Sequence, residues 1–400
     1  MKSATAISYE LDNIAVAAKD LSAQIKDKIT FGKNTLAILH GQPDMEIGEL
    51  SAAVSGELGC RVIGGTTAAG ALLTNEGYHE LAVSLLVLSD DDCVFAAAIS
   101  GSMAENPEEE IEKTYREAYE NLKQQDAAAE PKMVICIASL VQSIAADNIL
   151  EKVSELCDSL PIFGYMAGDD FEFCKQQVYL DGESGGDRMA ILLVAGNVKP
   201  IFQTANLAGK KALEKRLVTK AHDNIICEID NMPAYEYIKE FPFIDDQTTV
   251  LFNYQFFVEM PSESNNDGIP VSRALNTYDK ASGEVTCFAN VPEGSHIGLL
   301  YCTGDDVAVT SEAGIKEFLE KIDAKDDDYE YSTVLIATCS LRNMFLADMK
   351  ATEGDLVKEL FPENLTVSGM YAFGEIAPTS VNKDKAVNRF HNATFTVCAF

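Results

Sequence analysis

The sequence contains one structural pattern three times, and this repetition constrains the fold more than any other feature. Each copy consists of an amphipathic helix, a short apolar strand, a second helix, an apolar strand that runs into a glycine-bearing loop, and closing strands. The copies span about residues 11–100, 107–196 and 311–400. A repeated α-β-α-β-β unit predicts an α/β protein of two layered domains, in which helices cover mixed, largely antiparallel sheets.

The strands of the unit carry clear signals about their position. Segments 35–39, 133–138 and 333–338 are short and continuously apolar, which predicts central positions in a sheet. In the last strand, apolar and polar or small residues alternate from 394 to 399, the pattern of a half-buried antiparallel strand. If two such sheets pair face to face, the result is an αββα sandwich, a pairing that the sequence does not decide.

The two domains are predicted at residues 1–205, with the first two copies, and 206–400, with the third. The stretch 206–310 is irregular, because strand-like runs alternate there with polar loops and no glycine-bearing loop follows. The sequence leaves open whether this stretch is a degenerate fourth copy.

Charge and composition narrow the classes of partner. The formal net charge is -32, from 63 acidic and 31 basic side chains, and such a surface repels nucleic acid and anionic lipid. The N-terminus lacks the basic start and apolar centre of a signal peptide, and no apolar run reaches the roughly 20 residues that a membrane helix needs. Ten cysteines without a C-x-x-C pair indicate reduced thiols. We therefore expect a cytoplasmic protein that binds neither nucleic acid nor membrane.

The glycine-bearing loops are the first candidate ligand site. Glycine lets backbone N–H groups approach a ligand closely, and threonine hydroxyls suit a carboxylate or an amide. Tight turns that bind nothing are the alternative, and no phosphate-loop motif is present. The candidate residues in the first domain are Gly65, Thr66, Thr67, Gly70, Gly164, Gly168 and Asp169.

The second candidate group lies in the C-terminal half. Glu375 and His391 are polar residues that border the same sheet if the third copy closes on itself, and they would form the floor of a pocket. Alternatively, Glu375 pairs with Arg342 and His391 donates to a strand carbonyl, because buried polar groups usually satisfy one another. The candidate residues in the second domain are Arg342, Gly369, Tyr371, Gly374, Glu375, His391 and Asn392.

Catalysis and metal binding are less well supported. Cys339, or Ser340, with His391 would make a nucleophile and base for a hydrolase or transferase, but no motif supplies an oxyanion hole or an orienting acid. The five histidines stand singly, and the acidic segment 181–187 does not fit a calcium-binding register, so it predicts a hairpin turn. We expect no metal and no catalytic residue.

Several motifs together resemble the FIST family. Segments 63–70 and 163–169 are similar to the two signatures of the FIST N-terminal domain. Four further segments resemble successive motifs of the FIST C-terminal domain in the right order: 292–294 (PEG), 339–342 (CSLR), 369–378 (GMYAFGEIAP) and 390–394 (FHNAT).

This resemblance implies a non-catalytic sensor in signal transduction that binds an amino acid or a similar small polar metabolite. Such domains often precede output modules, whereas this sequence ends at Phe400, directly after the last motif. We therefore expect the signal to pass to a separate output protein, such as a diguanylate cyclase, a histidine kinase or a chemotaxis component, or through oligomer contacts. One branch that resembles this family senses nitric oxide through a His-ligated haem, which is the alternative cofactor hypothesis.

Overall fold

The computed structural model describes residues 1–207, 210–211, 213–245, 248, 250–261, 267–324, 328–346, 353–383 and 385–400. The first repeat unit contains β1 (Lys2–Ser8), α1 (Ile14–Lys28), β2 (Asn34–Gly41), α2 (Ile47–Leu58), β3 (Arg61–Thr66), β4 (Ala71–Thr74), β5 (Gly77–Glu80) and β6 (Val83–Asp90). The second contains β7 (Val94–Ile99), α3 (Pro107–Gln125), β8 (Pro131–Ala138), α4 (Ala146–Leu156), β9 (Ile162–Met166), β10 (Val178–Leu180), β11 (Glu183–Gly185) and β12 (Met189–Ala195).

The third unit is interrupted after its first strand. It begins with β13 (Ile201–Asn206) and continues, after an insertion, with α6 (Gly304–Asp323), β22 (Thr333–Cys339), α7 (Ser340–Leu346), α8 (Glu353–Leu360), β23 (Thr366–Ala372), β24 (Glu375–Asn382), β25 (Lys385–His391) and β26 (Thr394–Ala399). The insertion contains β14 (Lys210–Lys211), β15 (Arg216–His222), β16 (Ile225–Ile229), β17 (Met232–Pro233), α5 (Ala234–Ile238), β18 (Tyr254–Glu259), β19 (Val271–Asp279), β20 (Glu284–Cys287) and β21 (His296–Tyr301).

The three units exchange strands in a cycle. The first sheet has the order β1-β6-β2-β3-β10-β11, the second β25-β24-β9-β8-β12-β7, and the third β13-β26-β22-β23-β4-β5. Each sheet therefore combines four strands of its own unit with a hairpin from another unit. The first unit gives its hairpin to the third sheet, the second to the first, and the third to the second, so the units are interlocked.

The turn between β10 and β11 confirms the predicted hairpin in segment 181–187. Leu180 pairs with Glu183, and Asp181 and Gly182 connect them with φ angles of 51° and 102°. Positive φ at both central positions is what a type I′ turn of a two-residue hairpin requires, and an Asp-Gly pair adopts it readily.

One hydrophobic core lies between the three sheets. It combines Ile38 and Ile63 of the first sheet, Ile135 of the second, and Leu335 and Met370 of the third, among others. The opposite face of each sheet packs against the helices of its own unit in separate clusters. The predicted mixed α/β class with outer helices is confirmed, but three sheets rather than two share the interior. We call these sheets and their helices the body.

The inserted stretch is a small antiparallel barrel with its own core. Neighbouring strands pair in the closed order β18-β21-β15-β16-β20-β19-β18, and residues such as Val218, Phe256 and Leu299 fill the interior. A closed barrel differs from the repeat unit, so the stretch is not a fourth copy. The third copy also begins earlier than residue 311, because β13 pairs with β26 before the barrel starts. We call this insertion the barrel.

Among the described helices, none is both long enough and apolar enough to span a bilayer.

Candidate functional site

The three glycine-bearing loops lie at equivalent ends of β3, β9 and β23, and they contact one another. Gly168 N donates to Thr66 O at 2.8 Å, and the Thr67 hydroxyl donates to Tyr371 O at 3.1 Å. A further bond joins the second and third units, from Met166 N to Gly374 O at 2.9 Å. The loops thus use these backbone N–H groups to bond to one another and not to a ligand.

The glycines in these segments permit close packing. A Cβ at Gly65 would lie 2.9 Å from Ile137 Cγ2 in the central core, and one at Gly168 would lie 2.4 Å from Ala68 Cβ. Gly70 has a φ of +63°, in the left-handed region that favours glycine. The tight-turn and close-packing alternative therefore accounts for these positions without a ligand.

The other loop glycines also meet neighbouring atoms. A Cβ at Gly164 would reach Cys136 O, one at Gly369 would reach Ile336, and one at Gly374 would enter the ring of Phe390. The hydroxyl of Thr66 donates to Gly168 O and accepts from Gln177 N, so it is satisfied within the protein.

Asp169 organises the loop that follows β9. Its buried carboxylate accepts hydrogen bonds from the backbone N–H groups of residues 172–175 and from the Gln176 side chain, all at 2.9–3.0 Å. The loop presents Phe171 and Phe173, which have φ angles of 62° and 57°. A positive φ is strained for a bulky residue, so the carboxylate holds two phenylalanines in a conformation that they rarely adopt.

Arg342 forms a buried ion pair, with a partner that differs from the expected one. Its Nε lies 2.8 Å from Glu353 Oε1, and both side chains are fully buried. Glu353 also accepts from the Thr338 hydroxyl at 2.7 Å, while Arg342 donates to Ala393 O at 3.1 Å. The suggested pair of Arg342 with Glu375 is therefore wrong, because Glu353 of α8 reaches the guanidinium instead.

A pocket lined mainly by phenylalanine lies where the body meets the barrel. Its cavity volume is about 50 Å³ in this structure, within a concave region of about 520 Å³ that includes open solvent. We call it the aromatic pocket; its lining residues are Leu140, Phe171, Phe173, Phe252, Ala274, Phe288, Cys339, Ser340, Leu341, Phe373, Phe390 and Asn392.

The rings of the aromatic pocket form two groups. On the body side, Phe173 stacks on Phe373 with ring centroids 4.8 Å apart, and Phe171 packs against both. On the barrel side, Phe252 and Phe288 lie 6.0 Å apart. A flat apolar ligand would stack on such rings once they move apart to admit it, because aromatic faces supply contact area at low conformational cost.

Polar groups border the aromatic pocket at the ends of β22 and β25. Asn392 and Cys339 line it, and the carboxyl of Glu375 lies beside the Cys339 thiol. Glu375 Oε2 accepts from the backbone N–H and the hydroxyl of Thr394, at 3.2 and 2.5 Å. His391, opposite Glu375 in the strand register, contacts Ala377 O through Nε2 at 3.0 Å, which is the strand-carbonyl contact considered from the sequence.

Burial makes Glu375, His391 and Cys339 predominantly uncharged near neutral pH. It raises the pKa of Glu375 to about 8, although the hydrogen bonds from Thr394 lower it in part. It lowers the pKa of His391 to about 3. It also raises the pKa of the Cys339 thiol well above its ordinary value, and the nearby Glu375 adds to this.

A second, polar cleft lies beside the aromatic pocket, with Phe390 lining both. In this cleft Arg273 of the barrel lies 3.1 Å from Asp147 of α4, and Asp147 also accepts from Asn290 N at 3.0 Å. Burial raises the pKa of Asp147, and the charge of Arg273 opposes this shift. These contacts fasten the barrel to the body.

The histidines do not fit an axial haem ligand in either cavity. His391 is bonded to a carbonyl, His40 is buried in the central core, and His79 bonds to two neighbouring side chains. His222 and His296 lie exposed on the barrel. None of the five lines the aromatic pocket or the polar cleft, and the described residues contain no cluster of three metal-ligating side chains.

Of the residues predicted from sequence, Asn392 lines the aromatic pocket, with Glu375 and His391 adjacent to it. The phenylalanines were not predicted from the sequence. Phe171 and Phe173 stand in an otherwise polar segment directly after Asp169, and this placement of large apolar side chains in a loop is the signal that could have revealed them.

Comparisons with known proteins agree with the motifs. The FIST N domain model matches residues 35–232, and the FIST C domain model matches residues 234–378. A search of curated proteins found no match.

Two solved structures are similar at low identity. Cyanuric acid hydrolase from A. caulinodans is 7% identical over 99% of both chains, with a TM-score of 0.35. PurLQS from Thermotoga maritima is 11% identical over 99% of this chain and 72% of its own, with a TM-score of 0.21.

FIST domains are associated with the sensing of small ligands in signal transduction. Since the two domain models together span most of the sequence, this chain belongs to the FIST family.

Proposed function

We propose that this protein is a non-catalytic sensor that binds a small ligand in the aromatic pocket and acts in signal transduction. The observation that carries the proposal is the pocket itself. Rings from two parts with separate hydrophobic cores line one concave apolar space: Phe173 and Phe373 of the body, and Phe252 and Phe288 of the barrel. Small-molecule sites commonly have this character, with few polar groups that fix orientation.

The strained loop supports the same conclusion. Residues held in sparsely populated backbone regions cost on the order of 1–3 kcal/mol each and cluster at ligand sites. Phe171 and Phe173 both have positive φ, and Phe173 remains 46% exposed although it is large and apolar. Asp169 maintains this conformation, and the strained loop places both rings at the pocket.

A ligand between body and barrel can act as a signal. It stabilises whichever arrangement of the two parts binds it better, so occupancy shifts the equilibrium between arrangements. We infer that a separate output protein, such as a diguanylate cyclase, a histidine kinase or a chemotaxis component, responds to that arrangement in the cytoplasm. The lining favours an amino acid or related metabolite with an apolar or aromatic side group.

The environment of the candidate nucleophile supports a role without catalysis. A reactive cysteine needs a lowered pKa, whereas burial raises that of Cys339. His391 directs Nε2 to Ala377 O, and this contact leaves that nitrogen unable to act as a base. Conversion of any bound ligand into a product would contradict this part of the proposal.

Thermal-shift measurements with amino acids and central metabolites test the proposal, after a visible spectrum has been recorded to check for haem. A ligand at 100 times its Kd should add about 2.7 kcal/mol of stability. Phe173→Ala should reduce that gain. Phe243→Ala is the matched control, because Phe243 is an exposed ring of the barrel that lies outside the pocket lining. Equal ligand responses in both variants would refute the assignment of the pocket.

A further inference from the structure

Three polar side-chain atoms near the aromatic pocket have no hydrogen-bond partner among the described residues. Glu375 Oε1, His391 Nδ1 and Asn392 Oδ1 are buried and make no hydrogen bond with the described residues. His391 Nε2 contacts a carbonyl oxygen, which only accepts, so Nε2 carries the proton and Nδ1 is the acceptor. The Nδ2 donor of Asn392 is already used on His391 O.

Two of the three residues are cross-strand partners, and the third is next in the chain. Glu375 lies directly opposite His391 in the β24–β25 register, and Asn392 follows His391 on the pocket wall. Buried polar atoms are normally hydrogen-bonded, so three unpaired ones are costly, and all three are acceptors once the Glu375 carboxyl is ionised. A bound molecule that supplies N–H donors would satisfy them.

The pocket walls favour a positive charge on that molecule. Aromatic ring faces attract cations, and no lysine or arginine is among the residues that line the aromatic pocket, while the charges of Arg273 and Arg389 act on His391 and that of Arg342 acts on Glu375. The overall charge of -32 also draws cations toward the protein. A carboxylate at this position would be repelled by unsatisfied acceptors and by ring faces, so the ammonium group of an amino acid, and not its carboxylate, suits these atoms.

We propose that the ligand carries a cationic amine, which donates to the acceptors of Glu375, His391 and Asn392, while its apolar part lies between the phenylalanine rings. This inference rests on the proposed function, since it names the class of ligand for the same pocket.

Proton release should accompany binding. The groups that face the Glu375 carboxyl are Thr394 of β26, Cys339 of β22, His391 of β25 and, by its charge, Arg342 of α7. With a pKa of about 8, the free carboxyl is mostly protonated at neutral pH. An ammonium group beside it favours the carboxylate, so binding expels a proton and affinity rises with pH. Between pH 6 and pH 8 the ionised fraction grows from about 1% to about half, which predicts an increase in affinity of about 50-fold.

Three probes that share a 2-phenylethyl group separate charge from shape: 2-phenylethylamine, 2-phenylethanol and 3-phenylpropanoate, each titrated into the full chain by calorimetry. We expect the amine to bind at least about tenfold more tightly than the alcohol, and the carboxylate to bind most weakly. Glu375→Gln should abolish both the preference and the pH dependence. Glu359→Gln, an exposed carboxyl on α8, should change neither. The pH dependence of the unmodified protein provides the same test if Glu375→Gln does not fold.

The outcomes distinguish this inference from the proposed function. If the alcohol or the carboxylate binds as tightly as the amine, and Phe173→Ala removes that binding, the amine assignment is overturned while the pocket assignment stands. Affinity for the amine that is independent of pH overturns the role of Glu375. If none of the probes binds, the amine assignment fails, and the metabolite screen then decides the proposed function separately.

Discussion

Replacing Gly164 by alanine should destabilise the protein strongly, because this glycine allows two parallel strands to lie at normal spacing. A Cβ at Gly164 would lie 1.9 Å from Cys136 O of the neighbouring strand, whereas real Cβ atoms essentially never come closer than 3.0 Å. The strands β8 and β9 would have to separate locally by about 1 Å, on a spacing of about 4.8 Å. Ladder hydrogen bonds near 2.9 Å would then exceed bonding distance.

The expected cost follows from these displacements. One or two lost ladder bonds account for about 1–2 kcal/mol, and the strain of an overfilled core adds about 1–3 kcal/mol. We therefore expect Gly164→Ala to lower the free energy of unfolding by about 3 kcal/mol, measured by urea denaturation followed by circular dichroism. Gly64→Ala should behave alike, because its Cβ would lie 1.9 Å from Leu39 O at the equivalent position of the first unit.

Gly56 supplies the control. It lies exposed in α2, and nothing lies within 4 Å of a Cβ placed there. Alanine is a better helix former than glycine, so Gly56→Ala should raise stability by about 0.5–1 kcal/mol. A Gly164→Ala variant as stable as Gly56→Ala would show that the strand glycines are not required for close approach, and would refute the packing role assigned to them.

Further predictions concern the buried charges and thiols. Arg342→Met should lower the free energy of unfolding in urea by about 3–5 kcal/mol, because it leaves the Glu353 carboxylate buried without its cation. The double variant with Glu353→Met should lose less stability, and equal losses would contradict this. Asp169→Ala should speed amide hydrogen exchange in residues 172–175, because their N–H groups lose their acceptor. Unchanged exchange rates would show that the loop keeps its conformation without the Asp169 carboxylate. Cys174, the exposed thiol, should react with a disulfide reagent well before buried Cys339, and a Cys174→Ser variant that keeps the fast phase would disprove this order.

Local patterns in the sequence predicted the repeat unit well. The glycines at 64, 164 and 369 occupy equivalent strand positions, opposite Leu39, Cys136 and Ile336, and the apolar strands lie centrally as expected. These features depend on neighbours a few residues away, so periodicity records them. The hairpin exchange was not predictable, because β4 pairs with β23 almost 300 residues later and no local pattern specifies such a partner.

The candidate site was harder to predict for the same reason. Asn392 could be named because it lies within a family motif, whereas Phe171, Phe252 and Phe288 come from two different parts of the fold. A phenylalanine in the sequence indicates burial somewhere, but only the placement of the barrel on the body brings these rings together. The barrel itself was read as an irregular stretch, since its short strands show no repeat.

The position of the pocket follows from where the barrel breaks the symmetry of the body. In each unit, one residue of the central strand lies opposite the glycine of the neighbouring parallel strand. Three residues further along the chain stand Gln42 in the first unit, Ser139 in the second and Cys339 in the third. Gln42 donates to Gly70 O and Ala82 O, so its own unit satisfies it, and Ser139 bonds Arg188 in the same way. In the third unit, Cys339 at that position instead packs against apolar residues of the barrel. The insertion thus converts one of three equivalent strand ends into a pocket shared by two parts, and the affinity of any ligand there must depend on how those parts are placed.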